Sequence, residues 1–174
     1  MIRSPVPTRR EVFFPSEDII VSKTDLKGRI TYANDTFCQI AGYDERELIG
    51  QPHSIIRHPD MPRAVFKLLW DMLAERQEVF AYVKNMARSG DFYWVFAHVT
   101  PSLDRDGRLI GYHSSRRVPD RRVVDGVIAP FYASVLRAEQ SHRNGKEALA
   151  AGFQCLADLV SAKKTPYEEL IFAL

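Results

Sequence analysis

The sequence predicts an α+β fold: one five-stranded antiparallel sheet with short helices on one face, followed by C-terminal α-helices. Two short β-type runs come first, and three longer runs rich in aromatic and β-branched residues follow a helical stretch. Turn residues bound every run, and all strand connections except the central one are short enough for hairpins. Such connections favour a single antiparallel sheet with its helices on one side.

The composition is that of a globular protein, with 45% hydrophobic and 26% charged residues. The 24 basic and 22 acidic residues are intermixed without a polybasic run, which argues against nucleic acid or an anionic membrane as a partner. No apolar stretch approaches the roughly 20 residues of a membrane span, and the N-terminus is too polar for a signal sequence. We therefore expect a soluble, cytoplasmic protein whose two cysteines, Cys38 and Cys155, are reduced.

The chain divides into an N-terminal arm at residues 1–17, a mixed α/β domain at 18–119 and a helical C-terminal extension at 120–174. The prolines of the arm discourage both helix and central strand. In the domain, runs at 18–24 and 29–34 form a predicted hairpin, because Gly28 in the connection can adopt positive φ.

Helical signals follow the hairpin. Asn34 and Asp35 can cap a helix that stops at Gly42, and Asp44 with Glu47 forms a capping-box pattern for a second helix. Asp60 then precedes a third helix whose apolar positions share one face: Val65, Phe66, Leu69, Met72 and Leu73.

The second half of the domain is predicted to be β, with runs at 79–87, 92–100 and 108–117. Side chains alternate along a strand, so Trp94 and Phe96 face one side and Tyr93 and Val95 the other. Both faces of the sheet are thus partly apolar, and the outer face needs a cover.

The C-terminal extension can supply that cover. Helices are predicted over 121–143 and 146–163, and a short one from Thr165, where Pro166 suits the first turn and Glu168 completes a capping box. Their apolar residues are Ile128, Phe131, Val135, Leu149, Phe153, Leu156, Val160, Leu170, Ile171 and Leu174. They can cover the outer sheet face or pair with another subunit, and the sequence leaves both arrangements open.

The stretch "IIRHPDMP" at 55–62 places Arg57, His58 and Asp60 between apolar residues and prolines. Neither a solvated loop nor a plain core helix needs such a mixture. A ligand with a charged tail and a flat apolar head would suit it.

These stretches resemble a known family. "ITYANDTF", "GYDERELIGQPH", "IRHPDMP", "VKNMARSGDFYWV" and "GYHSSR" are similar to the PAS domain and, more narrowly, to the flavin-binding PAS domain of Aer-type bacterial aerotaxis receptors. The likeness covers about residues 20–118. "RHPDMP" and the "KN…GDFYWV" pattern are the more specific motifs, whereas "YANDTF" recurs among sensors for many ligands.

The resemblance implies a bacterial redox sensor that binds FAD non-covalently and reports redox or oxygen state. It carries cofactor-binding roles onto the following residues: Arg57, His58, Asp60, Asn34, Asn85, Phe66 and Trp70. The residue types fit such a ligand. A guanidinium suits a pyrophosphate, a carboxamide suits the donor–acceptor edge of the isoalloxazine, and aromatic rings suit its faces.

Structural explanations remain open for several of these residues. Asp60 can simply cap the helix after it, and Asn34 can be a turn or cap residue. Arg57 and His58 can be a solvated surface pair, and Phe66 and Trp70 can be ordinary core. Asn85 is harder to explain this way, because a buried amide in a strand needs partners.

Other chemistries have weaker support. His53, His58 and Asp60 match no standard metal-ligand spacing, so no metal site is expected. Haem bound by His58, His98 or His113 is a less favoured alternative, since some PAS sensors bind haem. Neither Cys38 nor Cys155 occupies the position of the adduct-forming cysteine of LOV photoreceptors. No nucleophile, P-loop or paired-carboxylate pattern is present, so we expect no catalytic residues and no enzyme.

Two departures from the family bear on function. Val79 stands where Aer-type receptors usually carry an aromatic, and the neighbouring Phe80 should face the other side of the strand, so FMN is possible in place of FAD. The residues after 119 resemble no output module, so we expect any signal to pass to a separate, unidentified protein. A ligand-free PAS adaptor is the alternative function. A homodimer through the arm or the C-terminal helices is possible in either case.

Overall fold

The computed structural model describes residues 5–163 and 167–173. Five strands form one sheet in the order β2-β1-β5-β4-β3, and every neighbouring pair is antiparallel. The predicted fold is therefore confirmed. The strands are β1 (Ile20–Thr24), β2 (Ile30–Ala33), β3 (Val79–Met86), β4 (Phe92–Leu103) and β5 (Leu109–Arg117).

Between β2 and β3 the chain forms α1 (Asp35–Ala41), α2 (Glu45–Leu48), a 3-10 helix (His53–Ile56) and α3 (Arg63–Ala74). The predicted boundaries of the first two are confirmed: Asn34 caps α1, Gly42 ends it at φ 72°, and Asp44 and Glu47 form the capping box of α2. The 3-10 helix was not predicted, because four residues are too few to show a hydrophobic period.

Asp60 does not cap α3, the structural explanation that the sequence had left open. The helix begins at Arg63, and Pro62 stands at its N-cap without a side-chain hydrogen bond. A residue before proline avoids the helical region, so Met61 cannot be helical and the start shifts beyond the reach of Asp60. Asp60 instead pairs with Lys84 of β3 at 2.6 Å.

The C-terminal extension packs on the outer face of its own sheet. It contains α4 (Arg121–Val123), a π-helical turn (Val124–Ile128), α5 (Ala129–Gln140), α6 (Gly145–Lys163) and α7 (Tyr167–Phe172). The Tyr132 hydroxyl donates to the Tyr82 carbonyl at 2.8 Å, and the ring of Phe172 lies 4.5 Å from that of Phe80. Helix α6 also packs along α3.

Most predicted apolar positions of the extension meet the core. Ile128, Val135, Leu156 and Ile171 are buried, and Phe131, Leu149 and Phe153 pack against the core. The predictions for Thr165, Pro166 and Leu174, and for the side chains of Val160, Glu168 and Leu170, lie outside the described part of the structure.

The N-terminal arm is extended and pairs with the start of β4. Its Val12 amide donates to the Phe92 carbonyl at 2.7 Å, and the Arg10 guanidinium pairs with the buried carboxylate of Asp91. That contact lowers the pKa of Asp91 to about 2. The arm and the extension thus both pack against the sheet. Within the described ranges, no helix has the length and apolarity needed to cross a membrane.

Candidate functional site

A cavity of about 310 Å³ lies between the inner face of the sheet and the helices that connect β2 to β3. The helical side supplies His53, Ile56, Arg57, Phe66, Leu69, Trp70 and Leu73. The strands supply Ser22, Thr24, Val83, Asn85, Ala97, Val99, Tyr112, Ser114 and Arg116.

The space follows from side-chain size and spacing. Phe66, Leu69, Trp70 and Leu73 recur at the helical i, i+3, i+4 and i+7 positions, so α3 turns one apolar stripe towards the sheet. The facing strands place small residues against that stripe, including Ser22, Ala97 and Ser114. Large side chains on one side and small ones on the other leave a slot with apolar walls.

Arg57 is the first of four predicted site residues that line the cavity. Its guanidinium carbon lies 3.8 Å from the ring centroid of Phe66, and its Nε is buried without a hydrogen-bond partner. Its backbone bridges to that of Asn85, which holds the loop before α3 against the edge of β3. Burial, followed by the charge of Arg63, lowers the pKa of Arg57.

Asn85 also faces the cavity and is 4% exposed. Its Nδ2 has no hydrogen-bond partner. A buried amide donor without a partner is costly, and native proteins rarely leave one unless a ligand or water completes it. Asn85 therefore has the geometry of a ligand contact.

Phe66 and Trp70 line the cavity from α3. Trp70 is 37% exposed, meets the ring of Tyr112 edge-on at 5.3 Å and lies against Gly28 of the β1–β2 turn. Gly28 has φ 73°, and a Cβ there would lie 3.3 Å from the indole. The indole thus forms part of the rim of the cavity, between α3 and the hairpin.

Asn34 does not line the cavity. Its Oδ1 accepts from the amides of Phe37 and Val21 at 3.0 and 2.9 Å, and its Nδ2 donates to the carbonyl of Ile19 at 2.8 Å. These bonds tie the start of α1 to β1. Asn34 has the structural role that the sequence had left open.

His58 and Asp60 also lie outside the cavity lining, on the side of β3. His58 is 3% exposed, accepts from the Asp60 amide at Nδ1 and meets the Phe92 ring edge-on at 5.9 Å. Burial and the charge of Lys84 lower the pKa of His58, while Asp60 acts in the opposite direction. Both residues fix the segment that presents Arg57.

Arg116, His53 and Ser22 line the cavity but were not predicted as site residues. Arg116 is 2% exposed, and its Nη2 donates to Ser22 Oγ and, at 2.9 Å, to His53 Nε2. Its Nε donates to Ser114 Oγ at 3.0 Å, and its Nη1 has no partner. Alternation along β5 could have identified Arg116, since it shares the inner face with Tyr112 and Ser114.

The cavity is electropositive. Neither Arg57 nor Arg116 pairs with a carboxylate among the described residues. Burial lowers the pKa of Arg116 to about 10, and burial with the charges of Arg116 and Arg57 lowers that of His53 to about 3. A buried guanidinium without a counter-charge favours a ligand rich in hydrogen-bond acceptors.

The histidines proposed for haem do not face this cavity. His98 stacks on Phe80 at 4.2 Å and bonds Glu78 at 2.6 Å, on the outer face of the sheet. His113 alternates with the cavity-lining Tyr112 and Ser114, and so lies on the outer face as well. Among the described residues, no group of three His, Cys, Asp or Glu side chains is placed to hold a metal ion.

Val79 is buried against α3, whereas Phe80 points to the outer face, where it packs with His98 and Phe172. The expectation that Phe80 does not replace the aromatic of the family is confirmed.

Known bacterial proteins resemble this chain in sequence. The chain is 38% identical to the aerotaxis receptor of Escherichia coli over 144 residues, which are 82% of this chain and 28% of the receptor. It is 33% identical to the nitrogen fixation regulatory protein of Klebsiella pneumoniae over 99 residues, 57% of this chain and 20% of that protein. The chain thus spans less than a third of the length of either relative.

Solved structures show the same fold at low identity. The dark structure of the blue-light photoreceptor Aureochrome1 LOV superimposes with a TM-score of 0.55 at 18% identity, over 66% of this chain and 83% of that one. A PAS domain from Colwellia psychrerythraea gives 0.55 at 18% identity, over 60% and 88%. The family model described as the PAS fold matches residues 30–116, half of the sequence, and this chain belongs to the PAS family.

Proposed function

We propose that this protein is a sensor that binds a flavin, FAD in the first instance, and signals redox or oxygen state to a separate partner protein. One observation carries the proposal: four residues that line the cavity each have a buried polar atom without a hydrogen-bond partner. These atoms are Thr24 Oγ1, Arg57 Nε, Asn85 Nδ2 and Arg116 Nη1. The resemblance of "RHPDMP" and "GDFYWV" to Aer-type receptors selects a flavin among the ligands with this chemistry.

The chemistry of the cavity lining supports the ring system of a flavin as its occupant. Its walls are apolar at Phe66, Leu69 and Leu73, as the faces of a tricyclic ring require. The unpaired atoms of Asn85 and Arg116 are hydrogen-bond donors, and the pyrimidine edge of a flavin is rich in acceptors.

The volume bears on the choice between FAD and FMN. About 310 Å³ is near the lower limit of the roughly 300–1,000 Å³ of ligand pockets, so the cavity suits the ring system and the start of its side chain. The phosphorylated part must then lie towards the rim, where Lys27, Ser54 and Arg57 are the polar and cationic residues. A dinucleotide would extend over the surface beyond them.

A bound flavin supplies a redox centre whose charge and protonation change on reduction. The residues around it determine which state is favoured. The Arg116 guanidinium stabilises added negative charge, and the Asn85 amide can donate or accept as the ring edge changes. Because Arg116 lies on β5 and bonds Ser22 of β1, a change in its hydrogen bonds acts on two adjacent strands. A population shift of the sheet and its neighbours would carry the signal.

The purified protein tests the proposal. We expect it to carry visible flavin absorbance, as isolated or after reconstitution, and mass analysis of the released ligand distinguishes FAD from FMN. Arg57→Ala should reduce flavin occupancy at least tenfold with an unchanged far-UV circular dichroism spectrum, whereas Arg46→Ala, on the exposed surface of α2, should bind as wild type. A colourless wild-type protein after reconstitution would favour the ligand-free adaptor instead.

A further inference from the structure

A carboxylate from the C-terminal extension caps the helix that lines the cavity. Glu139 of α5 is 5% exposed, and its two oxygens accept from the amides of Arg63 and Ala64 at 3.0 and 2.8 Å. These are the first two residues of α3. Glu139 is thus bound to a helix more than 70 residues earlier in the chain.

The contact supplies what α3 lacks locally. The helix has no side-chain cap of its own, since Pro62 occupies the N-cap position. The first amides of a helix have no intrahelical acceptors, and the helix dipole favours negative charge at this end. Ala64 is fully buried, so in the folded protein its amide relies on Glu139 for a hydrogen-bond acceptor.

Gly152 of α6 makes room for the same carboxylate. A Cβ at this position would lie 2.6 Å from Glu139 Oε1, 2.7 Å from Glu139 Cγ and 3.1 Å from Ala64 Cβ. These distances are far below van der Waals contact, so no side chain fits here without displacing Glu139. Helices α3, α5 and α6 therefore meet at one point, around one carboxylate.

The helix held in this way carries Phe66, Leu69, Trp70 and Leu73 along the cavity wall. We propose that Glu139 is a positioning residue that links occupancy of the cavity to docking of the C-terminal extension. The inference rests on the proposed function, because it takes a flavin as the occupant. A ligand that steadies α3 then strengthens the Glu139 contact, and by linkage the docked extension strengthens ligand binding by the same factor.

A purely structural cap would behave differently. Its loss would destabilise the protein equally with and without ligand, and the extension would not respond to ligand. If Glu139 couples the two, ligand binding and docking of the C-terminal extension depend on each other. The distinguishing measurement is therefore the change in protection of the extension when ligand is added.

Hydrogen exchange on the full chain, with and without FAD, measures that change. In the wild type, FAD should slow exchange of the Arg63 and Ala64 amides and of α5 by at least fivefold, within the usual range of coupling between two sites. In Glu139→Gln and Glu139→Ala the slowing of α5 should be lost, and FAD affinity should fall by a similar factor. Glu147→Gln, on the exposed surface of α6, is the matched control and should behave as wild type.

Gly152→Ala provides a second test, because stability should rise if the space at Gly152 is not needed and protection of α5 should fall if it is. Alanine in a helix interior is favoured over glycine by about 1 kcal/mol, so the variant should be more stable if the space is not needed. We expect instead a less protected α5 and weaker FAD binding, as in Glu139→Gln. The coupling is overturned if FAD protects α5 equally in the wild type and in Glu139→Ala, or if Gly152→Ala gains protection.

Failure of the coupling can be distinguished from failure of the proposed function. If the wild type binds no flavin, the proposed function and the coupling fail together. In that case the ligand-free Glu139→Gln protein should still exchange faster than wild type at Arg63, Ala64 and α5, which would leave Glu139 as a structural cap. If flavin binds but α5 does not respond to it, only the coupling fails.

Discussion

Arg116 Nη2 lies 2.9 Å from His53 Nε2 inside the cavity wall. A guanidinium has no acceptor, so the imidazole must accept at Nε2, and the proton of the neutral ring is on Nδ1. The low pKa of His53, about 3, is consistent with this neutral state. The pair therefore places one positive charge, not two, beside the ligand.

Removing the charge of Arg116 should weaken flavin binding without lowering the stability of the fold. A buried guanidinium without a carboxylate is costly to the ligand-free fold, so Arg116→Met should leave the free energy of unfolding unchanged or raise it by about 1 kcal/mol. Flavin affinity should fall at least tenfold, or about 1.4 kcal/mol. Urea denaturation and flavin titration measure the two quantities. Arg117→Met, at the exposed neighbouring residue, is the control. Equal flavin affinity in the two variants would contradict the assignment of Arg116 as a ligand contact.

His53 should make stability depend on pH. Its pKa is about 3 in the folded protein and near 6.5 when unfolded, so at pH 7 both states are neutral. As the pH falls below 6.5, the unfolded state takes up a proton that the folded state does not. The free energy of unfolding then falls by up to about 1.4 kcal/mol per pH unit. Burial also lowers the pKa values of His58 and His113, which act in the same direction.

The variant His53→Gln removes one titrating group and should flatten this slope between pH 6 and pH 4. Urea midpoints at several pH values give the slope for each protein. An unchanged slope in His53→Gln would place the titration elsewhere.

The two asparagines of the motifs should behave in opposite ways. Asn34→Ala removes three hydrogen bonds, one of which caps α1, so it should destabilise the fold by about 2–3 kcal/mol while the folded fraction keeps its flavin affinity. Asn85→Ala removes an amide whose Nδ2 has no protein partner, so it should cost little stability and at least tenfold in affinity. If folded Asn34→Ala loses its flavin, then Asn34 contacts the ligand, as the resemblance implies.

Local chemistry explains how much of the fold the sequence could predict. The cap at Asn34, the capping box at Asp44 and the turn at Gly28 depend on residues close in sequence, and all three are present. The faces of the strands could be predicted from the alternation of side chains. Trp94 packs against Tyr132 on the outer face, and Tyr93 lies on the inner face. The sequence left open whether Asp60 caps α3, and the proline at position 62 decides against it.

The site was less predictable, because its residues meet only in the folded chain. Arg57 and Asn85 were identified from a motif. Arg116 and His53 also lie in stretches that resemble the family, but they are 63 residues apart and nothing local to either indicates that they meet. Glu139 reaches Ala64 over 75 residues, and nothing near either residue indicates the contact. Asn34 was assigned to the ligand by resemblance, whereas its amide is used by the backbone around α1.

The last prediction concerns the pair of Asp60 and Lys84, whose charged atoms lie 2.6 Å apart. If Asp60 acts by holding the loop of Arg57 against β3, Asp60→Ala and Lys84→Met should lower flavin affinity by similar factors. A half-exposed ion pair contributes about 0–1 kcal/mol, so each factor should be up to about fivefold. The double variant should bind no worse than either single one, because both remove the same contact.

Flavin titration of the four proteins completes the cycle. Lys67→Met, which breaks the exposed Lys67–Asp71 pair on α3, is the control and should bind as wild type. Should Asp60→Ala abolish binding while Lys84→Met leaves it intact, Asp60 contacts the ligand directly. The pyrophosphate or ribose of a dinucleotide would then extend past Arg57 to this edge of the sheet, and FAD rather than FMN would be the ligand that the site selects.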